Sequence, residues 1–198
     1  MKPRGPGSAG MIALGFALCP LPGHAHLIET GLGPVYDGIT HFALTPEDLI
    51  PALALAMLAG LRGTEYARRV MFVLPGAWLL GGVAGTLAGA PALVIPAWLP
   101  LLALGGLVAA DARLPPAATA AIAALLGIAL GYANGYAMAQ AGPGLRGVLG
   151  IAGTVFVVTT LAAACVVAWQ AGWMRIAWRA VGGWVAASGL LLLGWSLR

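Results

Sequence analysis

The sequence predicts an all-α fold: a polytopic membrane bundle of six transmembrane helices behind an N-terminal signal peptide. Three observations carry that prediction. Apolar residues make up 61% of the chain and charged residues only 8%, whereas soluble domains carry about a quarter charged residues. The charges fall in clusters separated by apolar stretches of roughly 20 residues, enough to cross about 30 Å of hydrocarbon as helix. Those stretches are continuously apolar rather than alternating, which selects helices over a β-barrel.

At the N-terminus, Lys2 and Arg4 precede a short apolar run from Met11 to Leu18, followed by Pro20, Pro22 and Gly23-His24-Ala25. Basic, then apolar, then small residues is the order of a secretory signal, with cleavage expected after Ala25. Lipoprotein processing at Cys19 fits less well because Leu18 directly precedes it. An uncleaved anchor is disfavoured because the apolar run is too short to span. Residues 1–25 are thus the expected signal peptide and 26–198 a single membrane domain. His26 would become the mature N-terminus, where its amine and imidazole can chelate one metal; a histidine that merely tolerates export is the plainer alternative.

Six spans are expected at about 47–61, 70–89, 92–110, 117–138, 147–169 and 175–195. Arg62, Arg68, Arg69, Arg113, Arg175 and Arg179 fall in or beside the first, third and fifth connections, while Arg146 and Arg198 fall on the other side. That imbalance predicts a bacterial inner-membrane, multi-pass protein with its mature N-terminus in the periplasm. The formal charge of +4 is then loop arginine and not a nucleic-acid surface. Trp169, Trp173 and Trp178 cluster near one turn, as interfacial anchors do. Gly81, Gly85 and Gly89 in the second span, and Gly127, Gly131 and Gly135 in the fourth, recur every four residues. Small residues at that spacing let helices approach closely, so both faces are expected to be buried in the bundle. Cys19 and Cys165 make no disulfide framework.

Ionisable chemistry is concentrated before the first span. Four of the six acidic residues lie between Glu29 and Asp48, together with His26 and His41. Imidazole and carboxylate suit a divalent transition metal, so His26, Asp37, His41, Glu47 and Asp48 form the candidate metal site. Structural roles compete. Thr45-Pro46-Glu47-Asp48 also reads as a helix start, with Thr45 as N-cap and the acids in the first turn. Gly33-Pro34 and Asp37-Gly38 read as turns, with Asp37 closing an Asx-turn. His41 has no such role. Pro51 is expected to kink or loosen the first span. Inside the membrane, Asn134 is the most polar group, with Tyr132, Thr159 and Thr160 completing a candidate transport path and Thr154 nearby. Asparagine in a bundle is as often interhelical glue. No histidine pair for haem, no serine–histidine arrangement and no nucleotide-binding loop is present, so the chain is not expected to be an enzyme and any transport would be passive or ion-coupled.

Ala25-His26, then Gly38-x-x-His41, then the acidic pair opening "LIPALALAMLAGLRG", resemble the HupE/UreJ family of hydrogenase- and urease-associated membrane proteins, regarded as nickel or cobalt permeases. The resemblance covers essentially the whole chain and implies the six-span plan. In its better-studied branch, a histidine is followed after five residues by Asp-His. Here His41 matches the histidine, Glu47 stands for the aspartate and Asp48 for the second histidine. The branch's His-Gly-x-Ala-His-Gly-x-Glu aligns with Leu130 to Ala137. Gly131, Ala133 and Gly135 are kept, while Leu130 and Asn134 replace histidines and Ala137 the glutamate. "TPEDLIP" looks like the signature of a divergent branch. A carboxylate-rich, histidine-poor mouth favours ions harder than nickel.

Two functional readings follow. One is a secondary permease or facilitator for a divalent transition metal, nickel- or cobalt-type by resemblance, with the metal as substrate and no permanently bound cofactor. The other is a non-transporting accessory for a hydrogenase, urease or other metalloenzyme, docking a maturation or respiratory partner through its glycine faces. The bilayer is the expected partner in both, and a homo-oligomer is compatible with either. A permease should line a hydrated cavity continuous with His41, whereas an accessory should have a dry core.

Overall fold

A computed structural model of the chain describes residues 30–91 and 95–198, and these form seven helices. The first two are α1 (Pro34–Leu44) and α2 (Pro46–Arg62), then α3 (Thr64–Ala88) and α4 (Trp98–Ala109). The last three are α5 (Pro116–Ala141), α6 (Gly144–Ala168) and α7 (Gly172–Ser196). The expected signal, with Cys19, the cleavage site and His26, lies outside the described residues.

Helices α3, α5, α6 and α7 are each long and apolar enough to cross a membrane. A fifth span arises if α1 and α2, bent by 74° at Thr45, count as one broken span. Among the described residues the helices depart from the expected six spans at two places. Helix begins earlier than position 47, because Pro34–Leu44 is helix rather than loop and Asp37-Gly38 sits within it, not in a turn. The stretch expected at 92–110 yields only the 12 residues of α4, about 18 Å of helix and short of the hydrocarbon. Pro91 and Pro96 precede it, and each removes a backbone donor and biases its predecessor toward extended backbone.

Helix α2 is central, with contacts to every other helix and nearly unbroken burial from Pro51 to Leu61. Around it the helices pair off: α3 packs on α5, α4 on α7, and α1 on α6. The glycines explain the first pairing. A Cβ at Gly81 would meet the Ile128 carbonyl, one at Gly85 the Tyr132 carbonyl, and one at Gly135 the Gly82 carbonyl. At Gly127 the nearest atom would be the Leu74 carbonyl oxygen at 2.7 Å. Gly131 likewise lies against the Trp78 backbone. Gly89 departs from this face. It caps α3 in the left-handed region at φ 62°, with no atom near its missing Cβ.

Large apolar side chains point outward: Leu80, Leu87, Leu125, Leu161 and Leu191 are all exposed. Bulk outside and glycine inside is the pattern of a bundle solvated by lipid, where close backbone packing holds helices together. Fully buried Trp78 and Phe42 meet edge to face, centroids 5.5 Å apart, and tie α3 to α1.

Candidate functional site

The break between α1 and α2 creates the site. Thr45 is extended (φ −104°, ψ 92°), standing between the last turn of one helix and the first turn of the next. Its expected N-cap bond is not made. The hydroxyl instead donates to the His41 carbonyl at 2.7 Å and closes the end of α1. Pro46 then starts α2 without needing a donor. Pro51, one turn further, has no N–H to give the Glu47 carbonyl. The break thus brings the last turn of α1, with His41, beside the first turn of α2, with Asp48.

From across the bundle α5 supplies Asn134, seven residues before the helix ends at Ala141, or about 10 Å below that end. Its Nδ2 donates to the Asp48 carboxylate at 2.9 Å and to the Leu130 carbonyl at 2.8 Å. Asp48 and Asn134 are 6% and 5% exposed, so this is a polar pair within the packed interior. Half-buried His41 faces Asn134 without closing a well-formed hydrogen bond. The Asn134 Oδ1 is buried and accepts from nothing. A carboxylate, an imidazole and an unengaged amide oxygen therefore converge where two helix ends meet. Such donors can hold a cation or a proton, and an acceptor left without a partner costs about 1–3 kcal/mol.

The other expected site residues lie elsewhere. Asp37 accepts from the Thr30 amide at 2.8 Å and the Thr30 hydroxyl at 2.7 Å, pinning the approach to α1 rather than joining His41. Glu47 is exposed beside Asp48. Tyr132 donates to the Ala90 carbonyl at 3.2 Å, at the far edge of α3. Thr154 and Thr160 donate to the carbonyls of Gly150 and Phe156 four residues back, and buried Thr159 does the same to Val155. None of these threonines hydrogen-bonds Asn134. Among the described residues, no three His, Cys, Asp or Glu side chains converge as a metal cluster.

The opposite end of α2 carries a second polar centre that the sequence reading did not identify. Arg62 and Arg175 both pair with Asp111, Arg175 at 2.7 Å. Arg179 donates to the Ala109 carbonyl at 2.9 Å. Asp111 sits at φ 53°, in the left-handed region. Its amide donates to Val108 at 3.0 Å and the next amide, Ala112, to Leu107 at 2.9 Å, a Schellman end to α4. Glycine usually fills that position. Aspartate tolerates it better than most residues, and here its carboxylate joins α2 to α7. A lone acid flanked by arginine-bearing turns was the available signal.

The model of the HupE / UreJ protein family matches residues 14–192. The chain belongs to the HupE/UreJ family. No curated protein and no solved structure matches it. The resemblance described from the sequence gives the buried pair added meaning. Positions 48 and 134 are where the resemblance implies histidines, and the side chains that replace them here hydrogen-bond each other. Two departures far apart in the chain are physically one.

Proposed function

We propose that this HupE/UreJ protein is a secondary permease or facilitator for a divalent transition metal ion, its substrate, with His41, Asp48 and Asn134 as the binding centre. The observation that supports this most is the buried Asp48–Asn134 pair at a break between two helices, with an acceptor oxygen left over. Ionisable residues inside a membrane bundle are costly and tend to mark ion pathways. Discontinuous helices serve transporters in the same way, because their free ends face a substrate at depth. With one nitrogen donor against oxygen donors, the centre favours an ion harder than nickel, such as manganese, over a purely nickel-selective role. By the arginine imbalance the Arg62 end faces the cytoplasm and the His41 end the periplasm.

The accessory reading draws support from Tyr132, Thr159 and Thr160, whose hydroxyls are all engaged by backbone carbonyls and do not extend a polar path from His41. Its docking route is less well supported, since α3 and α5 already cover each other's glycines. Cells with and without the gene, given a panel of nickel, cobalt, manganese and zinc, separate the two. A permease gives accumulation of at least one ion above the deletion strain; equal accumulation across the panel supports the accessory.

A further inference from the structure

The arginine end of the bundle holds a cleft of about 530 Å³ lined by Leu61, Arg62, Tyr66, Arg113, Pro115 and Arg175, among others. Three guanidinium groups line it, against one carboxylate, Asp111, behind them. Asp111 ties Arg62 to Arg175 but leaves capacity unused. The Arg62 side chain is only 10% exposed, yet its Nε has no hydrogen-bond partner. Among the described residues, Arg113 forms neither an ion pair nor a side-chain hydrogen bond, although it is exposed at the rim. Leu114 and Pro115 lead directly into α5 at Pro116, so the positive end of that helix dipole lies beside the cleft. Tyr66 lines the cleft and donates to the Leu114 carbonyl at 3.2 Å, fixing that wall.

A buried donor without an acceptor is rare in a native fold. Here it sits in a cleft with excess positive charge, beside the C-terminal end of α2 and the start of α5. We propose that this cleft binds a phosphate-bearing anion, with Arg62 and Arg113 as its ligands and Arg175 as a bridge to Asp111. Guanidinium suits that ligand because its planar donors match two phosphate oxygens at once. An anionic phospholipid headgroup and free inorganic phosphate share this chemistry. Basic pockets at helix ends do recruit anionic headgroups. Binding there would clamp α2, the α4–α5 connection and α7 at one end of the bundle. The site is independent of the metal centre, so either can fail without the other.

The test is native mass spectrometry of the full-length chain in detergent, with phosphatidylglycerol, phosphatidylcholine or inorganic phosphate added separately. The unaltered chain should retain one phosphatidylglycerol, or one phosphate, in preference to phosphatidylcholine. Arg113→Gln, which breaks no ion pair or side-chain hydrogen bond among the described residues, should lower that retention at least fivefold. Retention of phosphatidylglycerol identifies a lipid headgroup as the source, and retention of phosphate alone identifies a soluble anion. Equal retention of both lipids with no bound phosphate overturns the proposal, as does anion retention that Arg113→Gln leaves unchanged.

Discussion

The two ends of α2 carry opposite charges and solve the burial of those charges differently. At its first turn, Asp48 is held by the neutral amide of Asn134, with His41 beside them and an acceptor oxygen left over. At its last turn, Arg62 is neutralised by Asp111, which also holds Arg175. Both placements suit the helix dipole, acid at the N-terminal end and base at the C-terminal end. Their roles differ because a charge closed by an opposite charge is a clamp. A charge held by a neutral group keeps most of its capacity for a ligand. The Arg62–Asp111 clamp is accordingly expected to matter first for folding, the His41 end for cations.

The largest effect should come from the clamp. Asp111→Ala leaves the mostly buried Arg62 without its counter-charge, and breaking such a pair costs about 3–5 kcal/mol. Thermal unfolding in detergent should fall sharply, and a variant as stable as the parent would mean that Arg62 is hydrated in place. Next come the close helix contacts. Gly135→Val drives a side chain into the Gly82 carbonyl, and overpacking of this kind costs about 1–3 kcal/mol. It should lower folded yield, whereas Gly89→Ala, at the open end of α3, should disturb no packing and cost only the left-handed backbone strain, about 1–2 kcal/mol. At the ion end, His41→Ala should weaken cation binding or uptake by about tenfold, or 1.4 kcal/mol, and leave folded yield nearly unchanged. Smallest is Glu47→Gln. The side chain is exposed, so ion uptake and stability should both stay close to the parent's.

Much of this was legible in the sequence because composition and small-residue spacing act locally. The lipid-facing class followed from the rarity of charge. Burial of glycine faces on α3 and α5 followed from glycines every four residues, since that spacing keeps them on one face, but not that the two faces meet each other. His41 stood out as a polar residue without a structural role, whereas Asp48 also fitted a helix start and Asn134 interhelical glue. What the sequence could not give was their meeting, because the Asp48–Asn134 bond joins residues 86 positions apart. The break at Thr45 was hidden for a related reason. Its hydroxyl chooses the helix behind it over the one ahead, and either choice fits the same residues. Pro34–Leu44 was read as loop because Gly33-Pro34 and Asp37-Gly38 signal turns, yet Pro34 sits at a helix start, where proline is favoured. Asp111 escaped notice because aspartate stands where a helix end normally has glycine.

Asp48→Asn tests the central claim most directly, that the centre at the helix break binds a divalent cation through a carboxylate held by an amide. The substitution keeps the shape and an acceptor oxygen for Asn134, and removes only the charge. Calorimetric titration of cobalt, manganese, zinc and nickel into purified parent and variant, with folded state checked by size and helicity, gives the answer. The account predicts that the parent binds at least one of these ions and that Asp48→Asn binds it at least tenfold more weakly while remaining folded. Equal affinity in the two proteins, or no binding by a folded parent, would contradict it.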